Sequence, residues 1–371
     1  MKCYIATFYQ YDNYGTRLQN FALCWAIRKL GAEPVTIAID NKKADGICFI
    51  KNILAYMPKV SSRQRIWLNN RKKWLAFQKF NKELCLQKVK YKDLDKLDFS
   101  DAIGIAGSDQ IWSPMHLAER KQEAELYFLR FAPEQKRYAY APSFGTESIP
   151  DDMKDMYKRY LNGFELLSIR ETAGQALIRN ITDLEVPVLP DPVFLLSKEE
   201  WKTVISGSDM VMPEGNYIVV YFLSRQSETV WREIKHTAKL RNARIISISG
   251  NSYKRGEVVP APFAFIKLID GAKAVFTDSF HGSVFSVIMQ TPFLVFRRKD
   301  VNQFSRFDML FYKYDCRNVL VDDENQGDYD KMLRESIIDG EKMMKTERQK
   351  GLNYIERIIH LNDKQGKGEE I

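Results

Sequence analysis

The chain has 371 residues, 45% of them hydrophobic and 28% charged, enough to bury a sizeable core and better suited to two domains than to one or three. Five widely spaced cysteines without a Cys-x-x-Cys pair argue for reduced thiols and against a disulfide scaffold or zinc cage. Of the net charge of +8, the segment 59–92 carries eleven Lys or Arg against the acid Glu83, so the remainder is close to neutral.

Strand-like runs alternate with helix-like runs, the pattern of parallel sheets with crossover helices. Tyr4–Phe8 predicts a strand, Thr16–Leu30 a helix and Pro34–Ile39 a second strand. The start breaks into Tyr, Gln, Asp and Asn before a signal-peptide core forms, so no secretion signal is expected. Asn13, Gly15, Thr16, Arg17 and Gln19 crowd the entrance to the first helix. The turn lacks Gly-x-Gly-x-x-Gly, so dinucleotide binding is not supported.

In the basic segment Trp67, Trp74, Phe77, Phe80 and Leu84 fall near one helical face, with Arg71, Lys72, Lys79 and Lys82 largely elsewhere. The favoured reading is a packed helix whose aromatics are core and whose cations form a solvated face. The other reading is a basic amphipathic helix on an anionic membrane or a phosphate-bearing acceptor, which would place a cytoplasmic protein peripherally at the inner membrane face. No nucleic-acid reader module accompanies the basic residues, so no nucleic-acid partner is expected.

Further strands are predicted at Ala102–Ala106, Arg137–Ala141, Leu166–Ile169 and Val186–Leu189, with a helix over Asp152–Phe164. Ligands in open α/β sheets bind beyond the carboxyl ends of strands, which makes the polar turns there informative. Gly107, Ser108 and Asp109 follow one strand; Asp109 either takes a proton from a hydroxyl or caps the next segment. Arg170 and Glu171 follow another, suited either to holding a carboxylate or phosphate or to an ion pair capping the next helix.

Pro190 and Pro192 break the pattern, and the domain boundary is placed there. The second half predicts helices at Lys198–Ile205, Glu228–Leu240, Phe263–Ile269 and Ser283–Met289, with strands at Tyr217–Leu223, Arg244–Ile248, Ala274–Thr277 and Phe293–Phe296. The apolar stretch Ala274–Phe296 carries Asp278, His281 and Pro292, which makes it a poor membrane span. Within it the turn DSFHGS is the most informative in the chain. Gly282 lets backbone approach a ligand, Ser279, Ser283 and the helix amides supply donors, and His281 can hold an anion or deliver a proton. His116, His236 and His360 lie in ordinary helical surroundings and are expected to be structural.

The fold expectation is α/β with two Rossmann-like parallel-sheet domains in a GT-B-like arrangement around a cleft. The domains are 1–189, the acceptor side, and 190–330, the donor or phosphate side, followed by closing helices over 331–361 and a flexible tail over 362–371. P-loop, zincin and hydrolase-elbow motifs are lacking.

Taken in order, DNYGTRLQNFAL, AGSDQIW, YAPSFG, LSIRE, LPDPVFLL, TDSFHGSVFSVIMQTPF and NQFSRFDML resemble the polysaccharide pyruvyl transferase family over nearly the whole chain. The resemblance implies a GT-B-like fold and transfer from phosphoenolpyruvate, as co-substrate and without a cofactor or metal, to a sugar that is nucleotide-linked, lipid-linked or polymeric. It places the family's important histidine on His281 and its strand-end arginine on Arg170. The other well-known branch has a Met-Arg-Leu-His-type turn where this chain has Ser279, Phe280 and His281, so Arg170, Arg17 or Arg306 would substitute in holding the phosphate. His281 would be the proton donor, with Asp109 or Glu171 as base. Arg170, Ser279, Gly282, Ser283 and Arg306 would hold the donor. Asn13, Gly15, Thr16, Arg17, Gln19 and Ser108 would face the acceptor. The rival reading is a GT-B glycosyltransferase using a nucleotide sugar.

Overall fold

The computed structural model describes residues 1–40, 62–208, 210–250, 257–298 and 307–365, apart from 308–309, 312, 315, 317–318, 323–326 and 337–339; of 62–70 and 362–365 only the helical backbone is described. Residues Met1–Lys42, Asn81–Leu196 and Lys345–Ile371 form one compact unit, and Lys43–Phe80 and Ser197–Met344 a second.

The first unit is built on a parallel sheet of β1 (Lys2–Ala6), β2 (Glu33–Ile39), β3 (Leu86–Val89), β4 (Ala102–Ala106) and β5 (Arg137–Ala139), in the order β3-β2-β1-β4-β5. All five residues of β4 are buried, as expected of a central strand covered on both faces. The Tyr14–Lys29 helix starts at Asn13, whose side chain accepts from the Thr16 amide, and the chain turns out of it at Gly31 with φ 85. Thirteen of its sixteen residues are buried, including Arg17, Gln19 and Asn20 at the end facing the sheet's carboxyl edge. Leu166–Ile169 and Val186–Leu189, expected as strands, extend the sheet only as isolated parallel bridges, Tyr138 to Leu166 and Ile169 to Val188.

The second unit repeats the layer plan with β6 (Tyr217–Tyr221), β7 (Arg244–Ile248), β8 (Val275–Thr277), β9 (Phe293–Phe296) and β10 (Leu320–Val321), all parallel, in the order β10-β9-β8-β6-β7. Two parallel-sheet α/β units are therefore the architecture, as the alternating pattern predicts. In each sheet the order reverses once, between β1 and β4 and between β6 and β8. Ligands of open α/β sheets bind outside the strands' carboxyl ends at such points.

The division differs from the sequence boundaries in three places. Residues 190–196 stay with the first unit because the Pro192–Leu195 turn packs on the Tyr14–Lys29 helix. From Lys345 onward the closing helix, Glu341–Gln365, joins that unit through Lys350 Nζ to the Val188 carbonyl (2.7 Å) and the Tyr354 hydroxyl to the Ala139 carbonyl (3.2 Å), and it runs into the stretch expected to be a tail. Gly351 is needed there, since a Cβ would lie 2.5 Å from the Tyr140 hydroxyl oxygen. The basic Ser62–Phe80 helix belongs to the second unit: Phe80 meets Phe263 edge-on at 4.8 Å, and Lys73 Nζ donates to the Gly250 carbonyl at 2.8 Å. Phe77 and Phe80 are core and Lys72 and Lys79 exposed, in keeping with the packed-helix reading. The helix ends at Phe80, so Leu84 is buried from a separate turn before β3. The side chain of Trp67 lies outside the described residues. Among the described residues no helix is long and apolar enough to cross a membrane.

Candidate active site

In the second unit the switch point is framed by the ends of β6 and β8. Asp278, buried, turns back across it: its Oδ1 accepts from the Leu223 amide at 2.6 Å, and its Oδ2 accepts from the Ser224 amide at 2.9 Å and from the Ser224 hydroxyl. Thr277 ties the same two strands, donating its hydroxyl to the Tyr221 carbonyl (2.7 Å) and accepting from the Ser279 amide (3.0 Å). These bonds fix where the Phe280–Met289 helix begins. Ser279 caps it, accepting from the Gly282 amide at 3.4 Å. His281 stands in its first turn, 8% exposed and edge-on to Phe280 at 5.2 Å, where the helix dipole favours an anion. Burial, reinforced by the charge of Asp278, pushes the neighbouring Tyr221 phenol up, so that group stays neutral.

Gly282 is required for this start. A Cβ there would lie 2.5 Å from Thr277 Oγ1 and 3.2 Å from Thr277 Cβ. Gly282→Ala is expected to destabilise the second unit by about 1–3 kcal/mol in chemical unfolding, because the helix must move off the strand.

Arg298, which the sequence reading passed over, lies beyond the end of β9. The register pairs Thr277 with Val295, so the chain after β9 runs beside the DSFHGS turn. Arg298 is half-buried, and its Nε has no hydrogen-bond partner among the described residues. The signal available in the sequence was its place just after a predicted strand, the criterion that singled out Arg170. Arg306 lies outside the described residues.

In the first unit the switch point holds Thr7, Gly107, Ser108 and Asp109. Thr7 donates to the Ser108 carbonyl at 2.8 Å and accepts from Gln19 Nε2 at 3.1 Å. A Cβ on Gly107 would sit 2.9 Å from Thr7 Cβ, so only glycine allows the two strand ends to meet. Asp109 has φ 74, and its carboxylate accepts from the Thr16 hydroxyl at 2.8 Å and the Gln110 amide at 2.8 Å while remaining part-exposed. A non-glycine residue in this region is strained unless its surroundings hold it there.

Arg170 and Glu171 matched two readings; in the structure Arg170 pairs chiefly with Asp191, and Glu171, at the start of the Thr172–Ile181 helix, makes no side-chain cap. Arg170, 5% exposed, donates Nη1 to Asp191 Oδ2 at 2.7 Å and reaches Ser108 Oγ at 3.5 Å, with Glu171 Oε2 3.8 Å from its Nε. Burial pushes its guanidinium down, but Asp191, Glu171 and Asp109 together outweigh burial and hold its pKa above the ordinary arginine value. Glu171 is buried, with Oε1 accepting from the Ser143 hydroxyl (2.9 Å) and the Phe144 amide (3.0 Å), a brace for the YAPSFG turn. Arg17 is likewise interior. Its Nε donates to the Tyr11 carbonyl at 3.0 Å and its Nη1 to Asn81 Oδ1, and burial, opposed by Asp12, lowers it to about 10. Gly15, Thr16, Gln19 and Ser108, of the expected acceptor-side set, are buried and Asn13 is part-exposed.

His116, expected to be structural, sits beside this turn. Its Nε2 is 3.1 Å from Glu123 Oε2 and 3.5 Å from the Tyr11 hydroxyl, and its ring meets Phe8 edge-on at 4.7 Å. Burial holds it below the ordinary histidine value, against the opposing pull of Glu123. Among the described residues no group of three or more His, Cys, Asp or Glu could hold a metal ion.

A family model described as polysaccharide pyruvyl transferase matches residues 13–300. No curated protein sequence gives a significant match. Among solved structures, the chain is similar to a UDP-N-acetylglucosamine 2-epimerase from Rickettsia bellii at 10% identity and TM-score 0.49, over 99% of this chain and 96% of that one. It is similar to the UDP-GlcNAc 2-epimerase of Methanocaldococcus jannaschii at 13% identity and TM-score 0.47, over 92% and 94%. A spinosyn rhamnosyltransferase complexed with spinosyn aglycone matches at 10% identity and TM-score 0.39, over 97% and 96%.

Proposed function

The chain belongs to the polysaccharide pyruvyl transferase family, and on that premise we propose that it moves the enolpyruvyl group of phosphoenolpyruvate onto a sugar and closes a pyruvate ketal. The observation that carries the reading is His281 in the Ser279-capped first turn of a helix at the second sheet's switch point, with Arg298 at the neighbouring strand end. An anionic donor is met there by helix amides and a guanidinium, and one group in the turn can give up a proton.

In the proposed reaction His281 protonates the terminal methylene of phosphoenolpyruvate, leaving an oxocarbenium-like centre at the adjacent carbon. A sugar hydroxyl adds to that carbon and loses its proton. The C–O bond to phosphate then breaks, phosphate departs, and a second hydroxyl of the same sugar closes the ketal. The first-turn amides and Arg298 place the phosphate and carboxylate, since charge placement is the main demand of such a step. Asp109 is assigned as base: of the two carboxylates weighed for that role, Glu171 is buried and engaged, whereas Asp109 keeps part of its carboxylate open. Arg170 is assigned a positioning role, holding Ser108 and Asp191 in place.

The deciding experiment is mass analysis of reactions containing phosphoenolpyruvate and nucleotide-linked, lipid-linked or polymeric sugar acceptors, with phosphate release measured alongside. The expected product is an acceptor heavier by pyruvate less one water. Thermal stabilisation by a nucleoside diphosphate but not by phosphoenolpyruvate, with no phosphate released, would instead assign the chain to nucleotide-sugar-dependent transfer. Arg298→Met is expected to weaken donor binding by about 2 kcal/mol, roughly thirtyfold in the KM for phosphoenolpyruvate, with kcat little changed. An unchanged KM would remove Arg298 from the donor site.

A further inference from the structure

At the opposite end of the first sheet, where β2 and β3 begin, two cysteines and an arginine converge. Cys85 immediately precedes β3, half-buried, with φ 50, and its carbonyl accepts from the Thr36 amide at 3.1 Å. Arg28, in the last turn of the Tyr14–Lys29 helix, donates Nη2 to Cys85 Sγ at 2.7 Å. One turn earlier on that helix, Cys24 is fully buried and donates to Asn20 Oδ1 at 3.5 Å, its sulfur lying against the residue that precedes Cys85. The Cys24 sulfur also touches the Thr36 hydroxyl at 3.6 Å and the Leu84 carbonyl at 3.9 Å. Cys85 and Arg28 border a cavity of about 590 Å³ that is also lined by Gly31, Glu33, Val35 and Gln87. None of these groups has a part in the proposed transfer, whose residues lie beyond the strands' other ends.

We propose that Cys85 and Cys24 are a hydroperoxide-reactive thiol pair, with Cys85 as the attacking thiolate, Arg28 as its counter-ion and Cys24 as the resolving thiol. The neighbouring Cys24 thiol, working against burial and helped by the Arg28 charge, brings Cys85 down to about 6. The neighbouring Cys85, together with burial, pushes Cys24 well up, so the buried member keeps its proton. A thiolate that is part-exposed and cation-paired beside a protonated second thiol is the arrangement that favours attack on peroxide followed by internal resolution.

The chemistry balances within the pair and its oxidant. Cys85 sulfur attacks one peroxide oxygen, the O–O bond breaks, and the leaving oxygen departs as hydroxide or alkoxide and takes a proton from solvent. Cys85 is now a sulfenic acid. Cys24 sulfur attacks the Cys85 sulfur, the S–O bond breaks, and the hydroxyl leaves as water with the Cys24 proton. Two thiols have lost two electrons to the peroxide, and the resulting disulfide ties the first helix to the entry of β3. Thiol reductants reverse it.

The test uses the full chain with Cys48→Ser, so that linkage through that thiol cannot arise. Three results are expected. Iodoacetamide alkylates Cys85 more than about tenfold faster at neutral pH than it alkylates Cys3 or Cys316, with a pH midpoint of about 6. Hydrogen peroxide produces a linked peptide joining residues 24 and 85 that reductant separates. Arg28→Gln slows both reactions by about tenfold. Cys24→Ala, if folded, accumulates a dimedone-reactive sulfenic acid at Cys85; if it does not fold, the linked peptide from the parent chain decides alone. Alkylation of Cys85 no faster than of Cys3, or no linked peptide after peroxide, overturns the proposal whatever the transfer activity proves to be.

Discussion

His281→Asn is expected to lower phosphate release from phosphoenolpyruvate by about a hundred- to ten-thousandfold, the range a positioned general acid contributes. Asparagine keeps a polar side chain of similar reach in the first helical turn, where Ser279 and not His281 supplies the cap. The Thr277 and Asp278 bonds that set the helix start are untouched, so chemical unfolding is expected to change by less than about 1 kcal/mol. The substitution therefore removes a proton donor and leaves the anion cradle standing. Its signature is a fall in kcat with a donor KM near that of the parent, the reverse of the Arg298→Met pattern. Activity within about threefold of the parent would falsify the proton-donor assignment, and a parallel rise in KM would make His281 an anion ligand instead.

Much of this turn was legible in the sequence because local chemistry and topology agree there. A β-rich run, a polar turn holding Ser279 and Gly282, an apolar helix and a proline-led strand can hardly be arranged except as a parallel crossover, and the structure has each element within a few residues. Glu228–Leu240, Arg244–Ile248 and Phe293–Phe296 fall where the pattern put them. Leu86–Val89 was hidden because LQKV has only four residues and follows a helix whose aromatic spacing seemed to continue through Leu84. β10 has two residues, too few for any periodicity to show.

What the sequence could not separate were residues that touch a ligand from residues that hold the ligand's surroundings in shape. Arg17, Gln19, Ser108, Arg170 and Glu171 are polar, follow strands or open helices, and satisfy the rule that ligands gather at carboxyl ends. Arg17, Glu171 and Arg170 are engaged by partners distant in sequence, which no local pattern reveals: Asn81 for Arg17, Ser143 for Glu171 and Asp191 for Arg170. Arg298 was missed for the complementary reason. Its neighbours in sequence advertise no turn motif, and only the register of β8 on β9 brings the chain after Phe296 beside the DSFHGS turn.

Arg170→Leu is expected to destabilise the first unit by about 3–5 kcal/mol in chemical unfolding, the usual cost of removing one partner from a buried ion pair. Three carboxylates act on this guanidinium, Asp191, Glu171 and Asp109, and without it Asp191 and Glu171 remain in the interior without the charge that they face. Because the folded state raises the pKa of Arg170, the unfolded chain would release that proton first as pH rises. On the alkaline side, Arg170's contribution is therefore intact up to the ordinary arginine range and disappears only above it. Arg170→Lys is expected to recover only part of the loss, since a single ammonium can face Asp191 but cannot at the same time present a second nitrogen to Glu171 as the guanidinium does. Asp191→Asn added to Arg170→Leu should recover more, because the amide oxygen can still accept from the Val193 amide, now 3.2 Å from Asp191 Oδ1, while one of the two uncompensated charges is gone. If the single and double variants unfold alike, the pair is not what holds the Ser108–Asp109 turn in place. An Arg170→Leu chain that keeps its stability but loses donor binding would return the guanidinium to the role of anion ligand.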